Sequence, residues 1–177
     1  MRNLESPRLS LDPLTAAHAE AMFEVLSDPA IYAFENAPPA SVERLRERYA
    51  KWETRRSDDG RQQWLNWVLR VRSGTLIGYV QATVEADGSA WIAYELASAY
   101  WGRGLASEAV RAMASELASQ YRVHMLRAMF KRANRRSLRL LERLGFEPSP
   151  DKDCMRFDVP ADEALMQRPA TLEMPSR

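Results

Sequence analysis

The chain has 177 residues, a length that fits one domain burying roughly two-thirds of its unfolded surface. Its 25 basic and 24 acidic residues nearly cancel, so no global field draws it to nucleic acid or to an anionic membrane. A single cysteine excludes an internal disulfide framework. No apolar run approaches the about 18 residues of a membrane helix, and Met1-Arg2-Asn3-Leu4-Glu5 has no apolar leader segment. A single cytoplasmic domain with neither a nucleic-acid nor a membrane partner is expected.

In chain order, Leu9 and Leu11 alternate with Arg8, Ser10 and Asp12, a short strand that Pro13 ends. Thr15 suits the cap of a helix carrying Ala19, Met22, Phe23 and Leu26 on one side, closed by Asp28-Pro29. Pro38-Pro39 breaks the linker from Ala33 to Ala40. Ser41 opens a second helix with Val42, Leu45, Tyr49 and Trp52 on one face, and Ser57-Asp58-Asp59-Gly60 is a turn. Trp67, Leu69 and Val71 alternate as a strand, and Ser73-Gly74 turns it into a hairpin with Leu76–Val84. Asp87-Gly88 is the strongest hairpin signal and leads to an alternating strand from Trp91 to Leu96.

The stretch Tyr100-Trp101-Gly102-Arg103-Gly104-Leu105-Ala106-Ser107-Glu108-Ala109 joins that strand to a helix striped by Leu105, Ala109, Val110, Met113 and Leu117. Two glycines allow a sharp turn or a close ligand approach. The first-turn amides of the next helix lack partners and carry partial positive charge, which suits a phosphate. The alternative is an ordinary strand-to-helix turn. A Walker A loop is excluded because neither glycine precedes Lys-Ser or Lys-Thr. A dinucleotide fingerprint fails too, since Ser107 stands at its third small position and the following strand ends in Lys131-Arg132.

Beyond the loop, His124–Phe130 reads as a strand and Arg135–Leu144 as a helix, with Gly145 as its left-handed terminator and Phe146 packing back. A last strand is expected over Met155–Val159, and one helical turn near Glu163–Gln167. Antiparallel strands followed by strand–helix–strand–helix–strand predict a mixed, mostly antiparallel α/β sheet with helices on both faces.

Trp101-Gly102-Arg103-Gly104-Leu105-Ala106 resembles the acyl-CoA loop of the GNAT superfamily of N-acetyltransferases, Gln/Arg-x-x-Gly-x-Gly/Ala, with Trp101 where Gln or Arg is usual. Asn134-x-x-Ser137 followed by Leu140-Leu141-Glu142-Arg143-Leu144-Gly145-Phe146, and the opening Ser6-Pro7-Arg8-Leu9-Ser10-Leu11-Asp12-Pro13-Leu14, are similar to the branch of ribosomal-protein N-terminal acetyltransferases. The resemblance covers roughly residues 6 to 160. It implies acetyl-CoA as cosubstrate, no metal, and an acceptor amine on a protein N-terminus or small molecule. It also implies strands four and five splayed for the pantetheine arm, and is compatible with a homodimer. By the same resemblance Leu96, Trp101, Gly102, Arg103, Gly104, Leu105, Ala106, Ser107 and Asn134 bind the cosubstrate.

Acetyl transfer to an amine requires removal of the amine's proton, stabilisation of the carbonyl oxygen, protonation of the leaving thiolate and apposition of the two substrates. Glu95, on the strand entering the loop, is a candidate base, or else a solvent-facing strand residue. Ser137 is a candidate acid by resemblance, where many relatives use a tyrosine. Asn134 reads equally as a helix cap. Cys154 reads as an apolar filler, and His18 and His124 lack metal-ligand spacing. Lys131, Arg132, Arg135, Arg136, Arg139 and Arg143 read as a solvated face, with one or two available to the 3′-phosphate of CoA. Asp151, Asp153 and Glu35 are weak candidates to attract a cationic acceptor. An inactive CoA-binding module with a sensing or assembly role is the competing function.

Overall fold

The computed structural model describes residues 1–34 and 36–170. Its first strands, β1 (Leu4–Glu5) and β2 (Leu9–Pro13), are followed by a 3-10 segment, Ala16–His18, that runs into helix α1 (Ala19–Leu26). Thr15 caps the 3-10 segment rather than the α-helix, closing a capping box with His18. Helix α2 (Val42–Glu53) starts at Ser41, whose hydroxyl accepts the Arg44 amide at 3.2 Å. Strands β3 (Gln63–Val71), β4 (Leu76–Val84) and β5 (Ser89–Leu96) form the expected meander. Helix α3 (Leu105–Gln120), strand β6 (Met125–Lys131) and helix α4 (Arg135–Arg143) follow. The chain then adds β7 (Glu147–Pro148), α5 (Asp151–Arg156) and β8 (Glu163–Pro169).

One eight-stranded sheet runs in the order β1-β2-β3-β4-β5-β6-β8-β7, and only β5 and β6 pair in parallel. This is the mixed, mostly antiparallel architecture read from the sequence. Period-two alternation sends residues of one strand to two separate cores. Leu65, Trp67 and Leu69 join the larger core with Val110, Met113 and Leu117 of α3 and Leu140 and Leu141 of α4. Val68 and Tyr79 face the other way and pack with Met22 and Leu26 of α1 and Leu45 and Tyr49 of α2. Helices therefore cover both faces, α3 and α4 on one, α1 and α2 on the other.

The parallel ladder between β5 and β6 covers only Ser89↔Met125, Ala90↔Leu126 and Trp91↔Arg127. From Ile92 onward β5 pairs with β4 alone, up to Gly78↔Leu96. That early end of pairing is consistent with the expected splay.

The C-terminal region corrects two expectations. Met155 does not start a strand: residues 151–156 form α5, with Asp151 and Asp153 in the first turn, where carboxylates suit the helix dipole. The stretch Glu163–Gln167 is not a helical turn but most of β8, which pairs antiparallel with β6 from Lys131↔Glu163 to Met125↔Pro169. A seven-residue antiparallel ladder along β6 outweighs the weak local preference of Glu163-Ala164-Leu165-Met166.

Candidate active site

The glycine loop leaves β5 through a short 3-10 segment, Ser98–Tyr100, and enters α3 at Gly104. Gly102 and Gly104 both hold positive φ, 73° and 77°, in the left-handed region that glycine occupies at least cost. The first helical bond runs from the Glu108 amide to the Gly104 carbonyl at 3.1 Å. The amides of Leu105, Ala106 and Ser107 therefore precede the ladder and have no helical partner. Arg103 lies over the Tyr100 ring at 5.5 Å, and its carbonyl accepts from Arg8 Nη1 at 2.8 Å. Trp101 turns inward: its indole N–H donates to the Leu96 carbonyl at 2.8 Å, and the Arg136 guanidinium lies 3.7 Å from its ring centre. Trp101 thus ties the strand end, the loop and α4 together by its side chain.

Tyr94 and Glu95 are adjacent on β5 and so face opposite sides of the sheet. Glu95 is half-buried on the α1–α2 side, directly opposite Tyr79 of β4. Burial raises the Tyr79 phenol well above its usual range, and the nearby Glu95 charge and a hydrogen bond to that carboxylate raise it further. Tyr32 and Tyr49 are also pushed up by burial first and by the Glu95 charge second. Three phenols therefore surround one carboxylate. The Tyr49 hydroxyl is buried without a hydrogen-bond partner among the described residues. Its ring stacks on Trp52 at 5.7 Å, and Trp52 tilts against Tyr79 at 6.3 Å.

Tyr94 faces α4, where burial pushes its phenol up to about 12 and a hydrogen bond with the Ser137 hydroxyl pulls it down. Ser137 follows Asn134, the N-cap of α4, whose Oδ1 accepts the Ser137 amide at 3.1 Å. The cap reading of Asn134 is therefore realised, and its Nδ2 has no partner among the described residues. Helix α4 ends in a Schellman pattern, with Gly145 N–H to Glu142 at 2.9 Å and Phe146 N–H to Leu141 at 3.0 Å.

The description "Acetyltransferase (GNAT) domain" matches residues 8–147. The chain belongs to the GNAT acetyltransferase family. Among solved structures, the GNAT fold here is similar to a ribosomal L7/L12 alpha-N-protein acetyltransferase in complex with coenzyme A. That match has a TM-score of 0.80 at 14% identity over 97% of this chain and 99% of the other. The ribosomal-protein-S5-alanine acetyltransferase from Vibrio fischeri gives 0.77 at 16% identity, covering 95% and 96%. An aminoglycoside acetyltransferase in complex with coenzyme A gives 0.72 at 22%, covering 91% and 94%. Likeness at these identities concerns the fold.

Other residues around this GNAT loop carry no sequence motif of their own. Glu108 accepts the Arg8 amide and Nε, both at 2.7 Å, and the Ser6 hydroxyl at 2.8 Å. Burial pushes the Glu108 carboxyl up, but these bonds together outweigh it and hold the group below its usual range. Gly78 sits so close under the Glu95 carbonyl that a Cβ there would collide with it. A glycine inside a strand pattern signals such a close approach. Lys131 and Arg132 of the basic cluster are turned to the start of β8, Lys131 pairing with Asp162 and Glu163 and Arg132 bonding the Ala161 carbonyl. Cys154 donates its thiol to the Ser149 carbonyl at 3.8 Å, and His18 Nδ1 accepts the Thr15 amide at 3.1 Å. Asp151 and Asp153 lie in α5, and Glu35 lies outside the described residues. Among the described residues no cluster of three His, Cys, Asp or Glu is placed to hold a metal ion.

Proposed function

We propose that this protein transfers the acetyl group of acetyl-CoA to a primary amine, on a protein N-terminus or a small molecule, by direct attack in a ternary complex. The observation that carries this reading is the divergence of Tyr94 and Glu95 to opposite faces of β5, where its pairing with β6 has already ended. A carboxylate thus stands on the α1–α2 side of the opening, and a hydroxyl pair, Ser137 with Tyr94, stands on the α4 side. The two substrates approach from opposite faces and meet where the sheet is open.

The residues divide the work. The amides of Leu105, Ala106 and Ser107, with Gly102, Arg103 and Gly104, hold the pyrophosphate of acetyl-CoA at the positive end of α3. Leu96 and Trp101 fix the strand end beside the pantetheine arm. Asn134, its oxygen committed to the cap, meets the arm as a donor through Nδ2. Glu95 accepts a proton from the acceptor amine, directly or through one water, and later releases it to solvent. Ser137 passes its proton to the departing sulfur and takes one from the Tyr94 phenol it bonds, which solvent then reprotonates. Holding both substrates in contact supplies several kcal/mol of the barrier reduction, on the order of 7 or more.

The test offers the protein acetyl-CoA and a panel of peptide, polyamine, aminoglycoside and amino-acid amines. Thermal stabilisation by acetyl-CoA, with release of free thiol and a mass gain of one acetyl group on one amine, is the expected result. Stabilisation without thiol release from any amine would instead make the protein a CoA-binding module.

A further inference from the structure

The acceptor face of the sheet holds a second polar feature beyond Glu95. A cavity of about 170 Å³ opens between α2 and the sheet, lined by Trp52, Trp64, Asn66, Gln81, Ala82 and Thr83. Strand register explains its floor. Asn66 lies opposite Gln81, and Trp64 opposite Thr83, across β3 and β4. Gln81 is two residues from Tyr79 and so on the same face, about 7 Å further from the Glu95 row at the rise of an antiparallel strand. Its neighbour on β5 is the exposed Ala93, two residues before Glu95 and on the same face.

The lining has an unusual balance. Asn66 is only 5% exposed, yet its carboxamide makes no hydrogen bond to any described residue. Its N and O atoms are not among the polar atoms sealed from solvent without a partner; they open onto the cavity, where water or a ligand can meet them. Gln81 and Thr83, both half-buried, likewise bond no described side chain. The walls are indoles. Trp64 already donates its ring N–H to Gln62 at 3.3 Å, which leaves its ring surface as its contribution. Lys51 and Arg48 lie over the Trp64 and Trp52 rings at 5.6 and 6.0 Å but do not line the cavity.

We infer that this cavity is a second acceptor subsite, in which Asn66 and Gln81 hydrogen-bond an uncharged amide of the acceptor between the Trp52 and Trp64 rings. The inference rests on the acceptor amine lying at Glu95. A carboxamide pair offers both donors and acceptors, matching the C=O and N–H of an amide. Among the described residues no charged side chain lines the cavity, and the nearest charges over its indole walls are the cations Lys51 and Arg48, so an ammonium there would be desolvated without a counter-ion. Spacing adds a register. An extended chain advances about 3.3–3.6 Å per residue, so 7 Å places the amide after the second residue in the cavity.

The experiment compares alanyl-alaninamide with alanine isopropylamide, which keeps the first amide and lacks the second, and with alanyl-alanine and glucosamine. Each is measured by thiol release and, independently of turnover, by tryptophan fluorescence of the protein loaded with CoA. The expected result is a preference of about tenfold or more for alanyl-alaninamide over the other three in the parent, a difference worth about 1.4 kcal/mol. Asn66→Leu and Gln81→Leu should each erase most of that preference while leaving isopropylamide kinetics and acetyl-CoA stabilisation unchanged. Glu95→Gln should depress turnover of all acceptors alike and keep the fluorescence preference. Equal treatment of the two alanine amides by the parent overturns the subsite. So does a parent preference that survives both leucine variants, or a gain specific to glucosamine. Failure of turnover with the fluorescence preference intact would instead count against the transferase reading alone.

Discussion

The proposed base, Glu95, has a neighbour one strand away. Tyr79 is its direct partner across the ladder, and the Tyr79 phenol bonds the Glu95 carboxylate. Removing that donor in Tyr79→Phe costs a hydrogen bond to a charged group, about 1.5–3 kcal/mol, and should lower kcat/KM by about tenfold or more with acetyl-CoA affinity unchanged. Glu95→Gln should lower turnover by about 10²–10⁴ at neutral pH, with partial recovery at higher pH where more of the amine is already neutral. Unchanged kcat/KM in Tyr79→Phe would make the tyrosine a packing residue. If Glu95→Gln only raises the acceptor KM, Glu95 binds rather than abstracts. Gly104 presents a different kind of dependence. Its φ of 77° charges any side chain about 1–2 kcal/mol, while the nearest atom to a Cβ there is Arg8 Nη2 at an ordinary 3.5 Å. Gly104→Val should therefore lower Tm by several degrees, but raise the acetyl-CoA dissociation constant by about tenfold or more. Unchanged acetyl-CoA affinity, measured by titration, would remove the loop from the binding site.

At the scale of elements, the loop is held from behind. Glu108, in the first turn of α3, gathers Ser6 and Arg8, while Arg8 reaches the Arg103 carbonyl. Because the folded carboxyl sits below its usual value of 4.5, its contribution is present above that pH and lost as pH falls below it. Glu108→Gln should thus reduce the urea midpoint at pH 7 and flatten its decline below about 4.5. Equal acid sensitivity in parent and variant would show that the carboxylate adds nothing. Little of this clamp was legible in sequence, because Ser6 and Glu108 are brought together by the pairing of β2 within the sheet. The loop itself was legible, since two glycines before a helical stripe fix a local geometry. So was the Asn134 cap, which lies within four residues of its partner Ser137. Tyr79 was legible only to within one residue: a two-residue Asp87-Gly88 turn would set it opposite Leu96, whereas the three-residue loop 86–88, closed by the Glu85 amide on the Ser89 carbonyl, sets it opposite Glu95. The end of the chain was not, because β8 owes its strand form to β6 and α5 fills a gap between strands that no local pattern announces.

In the proposed reaction donor and acceptor approach from opposite faces of the sheet and meet only where β5 has left β6. The larger core under α3 and α4 backs the loop and Ser137, and the smaller one under α1 and α2 backs Glu95 and the Asn66–Gln81 cavity. Among the described residues the smaller core has eight buried members, Met22, Leu45 and Tyr49 fully buried among them. A cluster of that size is the region most prone to open without the rest of the fold. Leu45→Ala removes a buried side chain from its centre and should cost about 2–5 kcal/mol where the change is measured locally. Opening of α1 and α2 exposes the phenols around Glu95 and the indole walls, while the loop keeps its own support from Arg8, Glu108 and Trp101. Leu45→Ala should therefore raise the acceptor KM several-fold at a temperature well below its melting point, with acetyl-CoA affinity unchanged. Hydrogen exchange should quicken in residues 19–26 and 42–53 and hold in residues 105–120. If acetyl-CoA affinity falls in step with the acceptor KM, the two faces open as one unit, and the sheet does not insulate donor from acceptor.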